Sequence, residues 1–125
     1  MTDTVPAKAA SLNLVIEQGA TFNPRLTLTD PAGDPQDLDG YSARAHIRAT
    51  LKATEVLLEL TTDNGRLVLT PAEGVIDFAV DAADTAALTW TQAVYDLELV
   101  SGEGIVTRLL QGTVKVVPEV TRQTP

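Results

Sequence analysis

The chain has 125 residues, of which 44% are hydrophobic, and its 17 acidic against 9 basic side chains give a formal charge of −8. That length fits one domain with its own core, the hydrophobic share is too high for a disordered chain, and no apolar run approaches the roughly 18 residues that a membrane-crossing helix needs. The absence of cysteine excludes disulfides, thiolate metal sites and cysteine nucleophiles, and the acidic balance repels a phosphate backbone, so neither nucleic acid nor membrane is expected as a partner.

The first eleven residues are small and polar and lack a strand period, so residues 1–11 are expected to form a flexible arm. Met1-Thr2-Asp3-Thr4-Val5-Pro6 lacks the basic start and apolar stretch of an export signal, which makes synthesis in a cytoplasm the expectation. From Leu12 a period of two begins: Leu12, Leu14 and Ile16 share a face, Gln18-Gly19-Ala20 punctuates, and Phe22, Leu26 and Leu28 continue. Pro24 removes a ladder donor, which predicts an edge strand or a bulge there. Asp30-Pro31-Ala32-Gly33-Asp34-Pro35 is dense in turn formers and opens the longest loop.

Tyr41, Ala43, Ala45 and Ile47 then alternate with Ser42, Arg44, His46 and Arg48, placing three basic side chains on one face of a single strand. Val56, Leu58 and Leu60 lead to Asp63-Asn64-Gly65, and Leu67-Val68-Leu69 follows. Asn-Gly supplies the backbone that a tight hairpin turn requires, so a hairpin is predicted across it. Val75–Val80 reads as a strand, and Asp81–Leu88 as one helix of about two turns, with Asp81 placed to cap the first amides. Tyr95-Asp96-Leu97-Glu98-Leu99, the turn Ser101–Gly104 and Ile105–Gly112 read as a hairpin, and Thr113–Val117 as a further strand.

About eight or nine short strands at regular spacing predict an all-β, antiparallel β-sandwich, Ig-like/Greek-key or jelly-roll-like, with one short helix near 81–88. The expected boundaries are an arm at 1–11, the sandwich at 12–120 and a tail at 121–125.

Candidate chemistry is sparse. The Arg44-His46-Arg48 stripe could bind an anion, a sugar acid or a carboxylate-rich partner, and it could equally pair across the sheet with Asp96 and Glu98. His46 is the single histidine, and a histidine among arginines is a poor general base. Asp30, Asp34, Asp37 and Asp39 crowd one loop, but their spacing does not match a calcium loop. Trp90 could anchor an interface or stack on a sugar, or else cover the end of the core. No serine elbow, phosphate loop or paired catalytic carboxylates are evident, so no catalytic, cofactor or metal site is expected, and Arg44, His46, Arg48 and Trp90 form the candidate interaction surface.

Four segments together carry a family resemblance: Ile16–Phe22, Asp37–Arg48, Tyr95–Leu99 and Arg108–Gly112. They resemble the small virion proteins of tailed bacteriophages and prophages that are related to the N-terminal domain of baseplate upper proteins. The resemblance implies a non-enzymatic β-sandwich that binds other virion proteins in the tail, baseplate or fibre attachment, or as a capsid decoration, and that forms a homo-oligomer in the virion. A stand-alone carbohydrate-binding module is the alternative from another class. The motifs are structural, and no catalytic residue comes with them.

Overall fold

A computed structural model describes residues 9–122; the expected arm up to residue 8 and the tail from 123 lie outside the described residues. Among the described residues nine strands are formed: β1 (Ala10–Ser11), β2 (Leu14–Glu17), β3 (Arg25–Thr27), β4 (Ser42–Arg48), β5 (Leu58–Thr61), β6 (Leu67–Thr70), β7 (Val75–Phe78), β8 (Gln92–Val100) and β9 (Val106–Val117). A 3-10 turn at Pro71–Glu73 and a five-residue helix, α1 (Ala82–Ala86), complete the described elements. The predicted helix over 81–88 is thus shorter than expected. Its Asp81 makes no side-chain cap bond; the Asp81 carbonyl instead accepts from the amides of Asp84 and Thr85.

The strands build two sheets. The larger runs β1–β9–β8–β4–β5, with β2 also on β9, and the smaller runs β3–β7–β6. The β9–β8–β4–β5 run facing a β3–β7–β6 sheet is the strand order of an immunoglobulin-type Greek key, here with the first strands on the β9 edge. The expected all-β sandwich is therefore present, in its Ig-like form. Pro24 precedes β3, an edge strand of the smaller sheet, as its missing amide requires.

Alternation decides which residues meet between the sheets. Ala43, Ala45 and Ile47 of β4 and Ala93, Tyr95, Leu97 and Leu99 of β8 are buried, and the residues between them face outward. Phe78 and Phe22 of the facing layer meet edge to face with ring centroids 5.5 Å apart. Small alanines on β4 let the sheets approach, while Ile16, Leu97 and Ile76 fill the space with no exposure. Thr85 is the one polar side chain buried among the described residues; its hydroxyl donates to the Ala20 carbonyl at 2.8 Å and accepts the Gly19 amide at 3.0 Å. The short helix thereby pins the turn that follows β2.

Three sequence expectations are corrected. Residues 58–70 do not form a hairpin: β5 pairs with β4 in the larger sheet and β6 with β7 in the smaller, so Asn64-Gly65 carries the chain from one sheet to the other. Ala10-Ser11, assigned to the arm, pair parallel with Leu110-Gln111 of β9. Residues 106–117 are one strand, not two, and it is bent by a bulge: Leu97 faces Leu110 while Glu98 faces Arg108.

Candidate functional site

The outward face of the larger sheet carries the charged residues of β4, β8 and β9 in cross-strand rows. Arg44 lies between Thr61 of β5 and Glu98 of β8, and Glu98 in turn faces Arg108 of β9. In the next row His46 lies between Glu59 and Asp96, and Asp96 faces Gln111. The bulge builds this pattern, because an unbroken register would set Leu109 opposite Glu98. With one residue looped out, Leu109 and Leu110 are both buried and Arg108 faces outward.

Arg44 Nε donates to Glu98 Oε1 at 2.8 Å, and Arg108 Nε lies 3.4 Å from Asp96 Oδ2. Of the pairing between the stripe and Asp96 and Glu98, one member is formed, Arg44 with Glu98; Asp96 is paired by Arg108 of β9 and His46 by Glu59 of β5. Exposed pairs of this kind contribute about 0–1 kcal/mol each, so they fix the polarity of the face more than the stability of the fold.

Arg48 is held differently. Its Nη1 donates to the carbonyls of Ala53 and Thr54 at 3.2 and 2.7 Å, and its Nη2 lies 3.2 Å from His46 Nδ1. A guanidinium can only donate, so His46 Nδ1 accepts and the ring proton sits on Nε2, which donates to Glu59 Oε2 at 3.2 Å. Arg48 thus ties the 49–57 connection to the sheet and leaves Leu51 standing 85% exposed at its tip.

Between that connection and the β1–β2 edge lies an open depression of about 550 Å³, lined among others by Arg44, His46, Arg48, Leu51, Asp96 and Arg108. Three of the four candidate residues from the sequence come together here. Trp90 is not in the lining; it is half-buried against the core just before β8, the covering role weighed for it. The sequence marks Arg108 only as the start of a resembling segment, not as a site residue, and gives no signal for Leu51. The paired leucines at 109–110, which break the period of two, were the one signal for the bulge that turns Arg108 outward.

The crowded loop acids are engaged locally. Asp30 Oδ1 accepts the amides of Ala32 and Asp34, and Asp37 Oδ1 that of Asp39, while among the described residues no group of three or more His, Asp or Glu is placed to hold a metal ion.

Fold and face together define a compact all-β sandwich of immunoglobulin-like strand order with a polar, mixed-charge sheet surface. No family model matches the chain and no curated protein is similar to it in sequence. Among solved structures it is similar to Drosophila OTK extracellular domains 3–5, at 16% identity and a TM-score of 0.37, over 95% of this chain and 38% of that one.

Proposed function

We propose that the chain is a non-enzymatic structural protein of a tailed-bacteriophage virion, acting in the tail, baseplate or fibre attachment by binding other virion subunits and copies of itself. The observation that carries this reading is where the resembling segments fall. Residues 42–48, 95–99 and 108–112, far apart in sequence, are neighbouring strands β4, β8 and β9, and they present the outward face described above. A motif set that specifies one continuous surface suits a subunit that is recognised by its face. Arg44, His46, Arg48, Asp96, Glu98 and Arg108 at the depression are engaged in cross-strand pairs or backbone bonds, whereas acid–base catalysis needs a group poised to exchange its proton with a substrate.

Cryo-electron microscopy of the particle, with copy number from quantitative mass spectrometry, tests the proposal. A handful to a few dozen copies at the tail is the expected result. Hundreds of copies on the head would make the chain a capsid decoration instead, and absence from the particle would overturn the virion reading.

A further inference from the structure

We infer that the depression on the outer face of β9, β8 and β4 is a docking site for an acidic segment of a partner protein, whose carboxylates are taken by the guanidinium groups of Arg44 and Arg108. The inference deepens the proposed role as a subunit-binding module and rests on it.

Two arginines of this face keep unused donors. Arg44 and Arg108 flank Glu98 in a single cross-strand row, and their side chains are 50% and 55% exposed. Within the described residues Arg44 hydrogen-bonds Glu98 through Nε, Arg108 Nε stands 3.4 Å from Asp96 Oδ2, and the Nη groups of both make no hydrogen bond, so those donors remain available. Guanidinium Nη and Nε groups form a planar fork that matches a carboxylate in two parallel hydrogen bonds. A third guanidinium, that of Arg48, lines the same depression and is held by carbonyls and a neutral imidazole, with no carboxylate pair among the described residues. The lining thus sets three arginines against the two carboxylates Asp96 and Glu98, on a chain whose overall charge is −8.

That contrast selects the ligand. A densely charged polyanion such as nucleic acid is repelled by the chain as a whole and by Asp96 and Glu98 within the site. A polypeptide with spaced carboxylates can meet the arginines and pass between the acids. The exposed Leu51 at the rim and Val94 in the lining give such a segment apolar contact as well. An acidic glycan is the poorer match, because sugar recognition draws on exposed aromatic rings; the one ring in the lining besides His46 is Tyr95, 5% exposed, with its hydroxyl committed to the Leu12 carbonyl.

The test uses the full chain, isotopically labelled, titrated at low salt with a blocked hexapeptide of alternating glutamate and alanine and followed by amide chemical shifts. Overall repulsion between a −8 protein and this peptide means that any localised binding has to come from a site. The expected result is saturable shifts confined to β4, β8, β9 and residues 50–51, with affinity falling at least tenfold in the Arg44→Ala/Arg108→Ala double variant. The Arg44→Lys/Arg108→Lys variant keeps the charge and loses the fork, and it should weaken binding severalfold. Arg25→Ala, on the smaller sheet, should leave it unchanged. Circular dichroism melts establish that each variant is folded.

No saturable shift at millimolar peptide, shifts elsewhere, or equal binding by the folded double variant would overturn the inference, as would tighter binding of oligogalacturonate than of the peptide. Failure here with the chain present in the particle would remove this site and leave the virion role standing. Peptide binding by a chain absent from the particle would do the reverse.

Discussion

Tyr95 and Gly112 face each other across β8 and β9, and together they hold the break between β1 and β2. The Tyr95 hydroxyl donates to the Leu12 carbonyl at 2.7 Å. A Cβ on residue 112 would overlap that same carbonyl oxygen, so only glycine lets the edge segment come this close. Asn13 Oδ1 accepts the Thr113 amide at 3.0 Å and replaces the backbone bond lost at the break. Burial pushes the Tyr95 phenol up to about 12, because the phenolate would lose its hydration. The folded state therefore prefers the neutral ring, and this contribution to stability is complete below the unfolded value near 10 and is lost as pH rises from there through about 12. Urea titrations from pH 7 to 12 should show it. Tyr95→Phe should cost about 0.5–1.5 kcal/mol at neutral pH and make the alkaline decline shallower; an unchanged decline would assign it to other groups.

Strand β5 is an outer strand of the larger sheet, and such strands invite unwanted pairing. Asn64 closes it. Its Oδ1 accepts the Thr61 amide at 3.0 Å and its Nδ2 donates to the Glu59 carbonyl at 2.9 Å, so a carboxamide stands where a tenth strand would bind. Arg66 Nη1 adds a second donor to Glu59 at 3.0 Å. The Asn-Gly pair was visible in the sequence, but its meaning was not. A type I′ hairpin needs positive φ at both central residues, and here only Gly65 has it, at 81°. The dipeptide marks a reversal whether the chain returns along its own sheet or crosses to the facing one, and the choice is made by which distant strand offers a partner. Asn64→Ala should destabilise the fold by about 1–3 kcal/mol in chemical denaturation and raise light scattering at high concentration. Destabilisation without increased association would show that Arg66 alone protects the edge.

At the scale of the molecule, period-two alternation made the strands and most of the core readable, since it depends only on neighbours two residues apart. The burial of Ala43, Ala45 and Ile47, and of Leu97 and Leu99, follows directly from it. Sheet assignment and the Arg108 register were not readable, because both depend on contacts between distant segments and on one looped-out residue. The pairing that closes the sandwich lies in this second class. β2 runs parallel to β9, Leu14 opposite Val114 through Glu17 opposite Val117, and joins segments a hundred residues apart. Both inward side chains of β2 belong to the shared core, Leu14 at 6% and Ile16 at 0% exposure. Removing a large buried aliphatic side chain costs about 2–5 kcal/mol, so losing both, with the β2 ladder, approaches the whole of a typical stability of about 5–15 kcal/mol. A chain beginning at Gln18 should therefore show no cooperative thermal transition, and a synthetic peptide of residues 9–17 added in excess should restore one. A cooperative melt without the peptide would mean that β9 can serve as an edge strand and that the first strands only cover a core already complete. Rescue by the peptide would show that the two ends of the sequence jointly specify the fold.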